Sequence, residues 1–391
     1  MVVGDPVLDR VLASRTHRDR YRAVMGTGGR RLIVLTSTWG PESLLKRRAA
    51  LFTDLATQLP YDTYQLAAIV HPNARTEIGP FDLSERLAPA LDAGLILAEP
   101  YEEWAALLVA ADAVITDHGS TALYAAALDR PLIGACNGGA ELLPGSPMAN
   151  LLAASPHLEQ PSDLDAAIAA HRPGSGPAFA ESAFARQGHA LESLQAEVYR
   201  LLGLAPPTIL ATAPPLPPPV TAARALSAFA VNSSVNGTEV RVERFPAHTE
   251  SPAHHLAAEY GAATERHIQS AGLIYRRTSQ DPPAPHGETW TEAAWTTRIL
   301  SAYPGCRTAA VILTPGLCVA RTRTGSFLTI RIEPREDADG RIVHTDPAAV
   351  LSAVHAHLAV SPGLPAVITC VIGQQHFQAR LLPATDLARA N

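Results

Sequence analysis

Residues 113–131, Ala-Val-Ile-Thr-Asp-His-Gly-Ser-Thr-Ala-Leu-Tyr-Ala-Ala-Ala-Leu-Asp-Arg-Pro, carry the clearest chemistry-bearing pattern in the chain. An apolar run of strand length enters a polar turn, Asp117-His118-Gly119-Ser120-Thr121, and small and apolar residues of helical length follow. In an open α/β sheet such a turn lies at the carboxyl edge of the strands, where backbone N–H groups at the next helix start favour an anion. Gly119 allows close backbone approach, Ser120 and Thr121 add hydroxyls, and His118 is a donor to a phosphate or a sugar hydroxyl. The plainer reading of the same residues is helix capping by Asp117 or Ser120.

Two further loops are expected on this edge. His71-Pro72-Asn73 closes an apolar run at 64–70, and a histidine there suits charge neutralisation or general acid chemistry; otherwise it is a turn residue held by Pro72. Ser37-Thr38-Trp39-Gly40 follows the apolar run 31–36 and offers hydroxyls, with Trp39 available to pack the next helix. Glu102 and Glu103 precede an apolar helix and suit either a ribose contact or the helix dipole.

The elements that must position these loops alternate in type. Strands are expected at 2–3, 31–36, 64–70, 95–98, 113–116 and 132–135. Helices are expected at 7–25, 43–58, 83–93, 101–111, from Ser120, at 163–170 and at 181–202. Continuous apolar strands with helical crossovers imply a parallel sheet covered on both faces. Residues 205–220 are dense in proline and read as a semi-rigid spacer. After it the pattern turns to α+β, with strands expected at 225–231, 238–245, 309–313, 317–321, 327–332 and 366–372. Helices are expected at 254–271 and 347–358, and a mobile loop at 282–286. The expected organisation is α/β: a Rossmann-like parallel sheet over 1–204, a Pro-rich linker over 205–220 and a smaller α+β domain over 221–391.

Composition narrows the function classes. The chain has 391 residues, 47% hydrophobic and 17% charged, with a formal net charge of -6, which describes a globular protein with no electrostatic case for nucleic acid. Lys46 is the only lysine, so positive charge is nearly all arginine and a single arginine says little about phosphate. Cys136, Cys306, Cys318 and Cys370 are scattered without C-x-x-C spacing. His254-His255, His355 and His357 lack a completing ligand pattern, so no metal or cofactor is expected. Phosphate-loop and nucleophile-elbow motifs do not occur. No apolar run reaches the roughly 18 residues of a membrane span, and 1–5 lack the regions of a signal peptide. A cytoplasmic protein is expected, with peripheral membrane association left open.

Taken in order, Thr38-Trp39, His71-Pro72 and Thr116-Asp117-His118-Gly119-Ser120 resemble motifs in the C-terminal, donor-binding half of GT-B glycosyltransferases. The likeness is greatest to the CDP-glycerol glycerophosphotransferase family, which includes teichoic acid polymerases. The small-residue helix at 125–128 returning to a strand at Pro131 fits as well. His118-Gly119 stands where that family carries Tyr-Ser, and Gly40 where it often carries arginine. The resemblance covers about 2–204. It implies a nucleotide-diphosphate donor, either CDP-glycerol or a nucleotide sugar, contacted by Thr38, His71, Asp117, Gly119, Ser120 and Thr121, with His71 and His118 assisting transfer. It also implies an acceptor domain ahead of residue 1, encoded upstream or supplied by a separate chain. The rival expectation is a non-catalytic scaffold whose residues 221–391 bind a partner.

Overall fold

The computed structural model describes residues 2–101, 103–207, 214–220, 224–247, 253–278, 291–336, 340–361 and 363–384. They form two compact units. The first comprises Met1–Leu59 and Tyr64–Ala225, and the second Pro60–Thr63 and Leu226–Asn391.

The first unit opens with α1 (Pro6–Ala13), whose N-terminal amides are capped by Asp5, and α2 (Arg18–Val24). A 3-10 turn at Ser14–His17 separates the two, so the single helix expected at 7–25 is broken, and 2–3 form no strand. Then come β1 (Arg31–Ser37), α3 (Leu44–Arg47), α4 (Ala50–Gln58), β2 (Tyr64–Val70), α5 (Pro72–Ile78), α6 (Pro80–Asp92) and β3 (Ile96–Leu97). They are followed by α7 (Glu103–Ala110), β4 (Ala113–Thr116), α8 (Thr121–Ala127), β5 (Leu132–Gly134), α9 (Pro147–Ala154), α10 (Leu164–Ala169), α11 (Ser175–Ala183) and α12 (Ala190–Leu202). The helix expected at 181–202 is interrupted where Arg186 and Gly188 take positive φ.

All five strands run parallel in the order β3-β2-β1-β4-β5. Alternation along β1 explains why it must be central. Ile33 and Leu35 pack with Phe52, Leu55, Leu83 and Leu87 on one face, while Leu32 and Val34 pack with Tyr21, Met25 and Leu107 on the other. A strand apolar on both faces is stable only between two layers of helix. Part of the proline-rich segment, expected as a semi-rigid spacer, packs on the first unit. Leu216 is buried in this unit, its N–H donates to Ser14 Oγ at 3.0 Å, and its carbonyl accepts from Tyr21 Oη at 2.6 Å.

The second unit is more strand-rich than the α+β pattern anticipated. Its elements are β6 (Ala228–Asn236), β7 (Glu239–Pro246), β8 (His255–Glu259), α13 (Glu265–Ser270), β9 (Leu273–Arg277), α14 (Glu292–Ala302), β10 (Thr308–Thr314), β11 (Leu317–Thr322) and β12 (Phe327–Ile332). The short pair β13 (Arg335–Glu336) and β14 (Ile342–Val343), helix α15 (Pro347–Val360), β15 (Val367–Ile372) and β16 (Gln375–Pro383) complete it. Nine strands close a barrel in the order β10-β11-β12-β16-β15-β7-β6-β8-β9. Every residue of α15 from Pro347 to His357 is buried, and its Ala, Val and Leu side chains there form one cluster with inward-facing side chains from all nine barrel strands. A helix apolar on every side has to be enclosed, and α15 fills the barrel. The outer faces of Ile274, Ala309, Val311 and Val319 are covered by Ile268 of α13 and by Trp295 and Ile299 of α14.

The helix expected at 254–271 is therefore corrected to a strand and a separate helix, because His255–Glu259 alternates and pairs with β6 and β9. The expected loop at 282–286 lies outside the described residues. No helix among the described residues is long and apolar enough to cross a membrane.

Candidate functional site

Strand order reverses between β1 and β4, since the chain builds β2 and β3 on one side of β1 and β4 and β5 on the other. In open α/β sheets the crevice outside the carboxyl ends at such a reversal is the usual ligand position. Thr38 follows β1 and 117–121 follow β4, so these expected residues lie at the reversal, with His71 one strand away after β2.

Asp117 organises the loops. It is fully buried, and its carboxylate accepts from the N–H groups of Thr38 at 2.9 Å, Leu44 at 2.8 Å and Gly119 at 2.9 Å. Burial raises its pKa, and those three amides, with His118, oppose the rise. The Asp117 carboxylate and the Gly119 N–H, expected to face a ligand, are turned to each other and to the β1 loop. Gly119 is also required by close packing, because a Cβ there would come within 3.0 Å of Thr38 Cβ.

Ser120 does not cap α8 through its side chain; it is exposed and αR. The N–H groups of Ser120 and Thr121 carry no hydrogen bond among the described residues. Of the expected contacts, Thr38, His71, Ser120 and Thr121 retain surface, while Asp117 and Gly119 are buried.

His71 is the N-cap of α5, its Nδ1 accepting from Asn73 N–H at 3.1 Å, with the Trp39 ring 6.4 Å away between centroids. Burial lowers its pKa against the pull of Asp117, so the imidazole is neutral near pH 7 and its free Nε2 carries the proton. The cationic role considered for His71 is not favoured by these surroundings.

His118 is paired with a carboxylate. Its Nε2 lies 3.0 Å from Glu141 Oε2, with a tenth of the side chain exposed. Glu141 comes from the loop after β5, a fourth loop on the same edge, and it also sits where a Gly40 side chain would stand. Gly138, with φ of 74°, lets this loop close on His118, since a Cβ there would lie 2.7 Å from His118 Cβ. Glu42 adds a second carboxylate, paired with Arg47 at 3.1 Å. Sequence reasoning missed this fourth loop, although Asn137-Gly138-Gly139 after an apolar strand was the available signal.

Other expected residues stand elsewhere. Glu103 is buried and accepts from the N–H groups of Glu99 and Val220, so it serves the backbone, while Glu102 lies outside the described residues. His255 and His355 meet in the second unit with ring centroids 4.4 Å apart. No group of three side chains able to hold a metal occurs among the described residues.

No family model matches this chain, and no curated protein matches it. Among solved structures it is similar to the wall teichoic acid polymerase TagF, at 15% identity over 52% of this chain and 51% of that one, with a TM-score of 0.37. It is also similar to Methanocaldococcus jannaschii UDP-GlcNAc 2-epimerase in complex with UDP-GlcNAc and UDP, at 17% identity over 52% and 54%, TM-score 0.32. A third is Anabaena Alr3699/HepE in complex with UDP and glucose, at 14% identity over 48% and 52%, TM-score 0.30. The chain spans about half the length of each.

Proposed function

We propose that the first unit binds a nucleotide-diphosphate donor, CDP-glycerol or a nucleotide sugar, as the donor half of a GT-B-like transferase. The observation that carries this reading is the reversal of strand order between β1 and β4, with Thr38, Ser120 and Thr121 on the two loops that flank it. In this reading the Ser120 and Thr121 amides and hydroxyls bind the diphosphate, and Thr38 lies beside it. An acceptor hydroxyl attacks the activated carbon or phosphorus. The bond to the nucleotide breaks as the new bond forms, and the acceptor hydroxyl proton passes to a general base supplied by the domain or chain that holds the acceptor. The amides stabilise charge on the departing nucleotide, with His118 or the protonated Nε2 of His71 as the neighbouring donor. The acceptor and the residues that bind it would come from another domain or chain.

Titration calorimetry with CDP, UDP and GDP tests the reading. Binding of one of them, weakened tenfold or more by Ser120→Ala or His71→Ala, is the expected result. Absence of binding by all three rejects it.

A second reading, a non-catalytic scaffold with a degenerate nucleotide site, is favoured by one observation. The Glu141 carboxylate lies 3.0 Å from His118 at the rim, where a diphosphate would need positive or neutral groups.

A further inference from the structure

We propose that the barrel of the second unit binds a small organic anion with a short apolar body, seated in a cavity of about 670 Å³ at the end of the barrel where α15 finishes. This site is separate from the switch-point rim and does not depend on the function proposed for the first unit.

The volume lies within the range of roughly 300–1,000 Å³ usual for small-molecule sites, and barrel mouths are common places for them. Its walls divide by chemistry. The start of β10 and the β11–β12 turn contribute Arg307, Thr308, Thr322, Arg323, Thr324 and Ser326, while the end of α15 and the segment after it contribute Leu358, Val360 and Leu364. Among the described residues no carboxylate lines the cavity, although the chain as a whole carries a net charge of -6.

The two arginines have different tasks. Arg323 is fixed by backbone carbonyls, donating to Cys306 O at 2.8 Å, Leu300 O at 2.6 Å and Tyr303 O at 2.8 Å. Among the described residues its charge is held in place by carbonyls and not by a carboxylate. Arg307 is exposed at the cavity edge and keeps its guanidinium for an incoming anion. His355 completes the polar wall, its Nδ1 2.9 Å from Thr308 Oγ1. Burial, then Arg307, holds its pKa down at about 4, so the ring adds hydrogen bonding at neutral pH without a charge of its own. A ligand that satisfies both walls presents one anionic head to Arg307 and the hydroxyls, and an aliphatic body to Leu358, Val360 and Leu364. A cation or a fully polar ion satisfies only one wall or neither.

The experiment is calorimetry on the full chain at pH 7.5 with hexanoate, hexylammonium, acetate and inorganic phosphate as probes. Hexanoate is expected to bind at one site, with the other three at least tenfold weaker. Arg307→Glu is expected to weaken hexanoate tenfold or more, and Arg307→Lys to retain most of the affinity. Val360→Asn, at a position 66% exposed and so compatible with folding, adds no charge and should weaken hexanoate through the apolar wall alone. The proposal is overturned if hexanoate does not bind, if hexylammonium or phosphate binds as well as hexanoate, or if neither Arg307→Glu nor Val360→Asn changes its affinity.

Discussion

Arg244 has none of its side chain exposed, and its guanidinium grips both oxygens of Asp62, a residue 182 positions earlier, with Nε and Nη2 at 2.8 and 2.6 Å. The third nitrogen donates to Asp346 Oδ2 at 2.8 Å, and the plane lies over the Phe229 ring at 4.2 Å. Burial disfavours the charge, and the two carboxylates outweigh it, raising the arginine pKa. The same pairing explains why Pro60–Thr63, which lies between α4 and β2 in sequence, groups with the barrel: Tyr61 N–H also donates to Arg244 O at 2.8 Å. Asp62→Ala should destabilise the barrel by about 3–5 kcal/mol, because it leaves a buried guanidinium short of its main partner. Urea unfolding read by hydrogen exchange of the β6 and β7 amides measures this. The double variant Asp62→Leu with Arg244→Met should recover much of the loss, whereas equal stability of Asp62→Ala and the unvaried chain would contradict the assigned role.

That pair also marks the boundary of what the sequence makes legible. The strands at 31–37, 64–70 and 113–116 are readable because each is a continuous apolar run ended by a polar turn, and a strand buried on both faces has no other pattern. The barrel is not readable in that way. Its closure depends on pairings between distant segments, such as Thr369–Ile372 of β15 beside Glu239–Val242 of β7. His255–Glu259 sits inside a stretch with a helix-like composition, and although the apolar character of α15 on every side points to an enclosed helix, nothing local says that a barrel encloses it. At the rim, sequence placed Thr38, His71 and 117–121 on one edge. It could not say which way Asp117 and His118 point, because their partners Leu44 and Glu141 are chosen by tertiary packing.

Asp117→Ala should destabilise the first unit by about 3 kcal/mol or more. Three N–H groups, those of Thr38, Leu44 and Gly119, would lose one shared acceptor, and an unsatisfied buried donor costs roughly 1–3 kcal/mol. Asp117→Asn keeps an acceptor for some of them and should fall between. Thermal unfolding of both variants checks the order. If Asp117→Ala melted with the unvaried protein, the carboxylate would not be the clamp it is taken to be here.

The two histidines in the barrel predict an acid-sensitive fold. Burial holds His355 at about 4, and burial together with His355 and His254 holds His255 at about 3, against 6.5 for the free side chain. Both folded values are depressed, so as pH falls below about 6.5 the unfolded chain takes up protons that the folded chain does not. Stability should therefore be flat above pH 7, decline from about pH 6.5 to about pH 4, and level off only where the folded histidines protonate. The His355 shift alone is worth about 3 kcal/mol at the lower end. Urea midpoints at pH 7.5, 5.5 and 4.5 give the slope. His355→Gln, which does not titrate, should flatten it; an unchanged slope in that variant would remove His355 as a source.

Glu141 decides how the rim treats an anion. Its carboxylate faces His118 Nε2 at 3.0 Å, while Glu42 is paired with Arg47, so in the function proposed above a diphosphate at Ser120 and Thr121 meets the negative charge of Glu141. Like charges about 4 Å apart interact by about 1 kcal/mol even in water and more where the site is dry. Glu141→Gln keeps the length and the hydrogen-bonding oxygen while removing the charge. If the first unit binds a nucleoside diphosphate, this variant should bind CDP or UDP about tenfold more tightly, equivalent to about 1.4 kcal/mol, with little change for uncharged cytidine or uridine. Calorimetry at low and high salt separates the contributions. Tightening should shrink as salt rises if it is electrostatic, and should persist if it comes from opening the Gly138 loop. No tightening for the diphosphates at either salt concentration would mean that Glu141 does not compete with an anion, and that its contact with His118 only holds the β4 and β5 loops together.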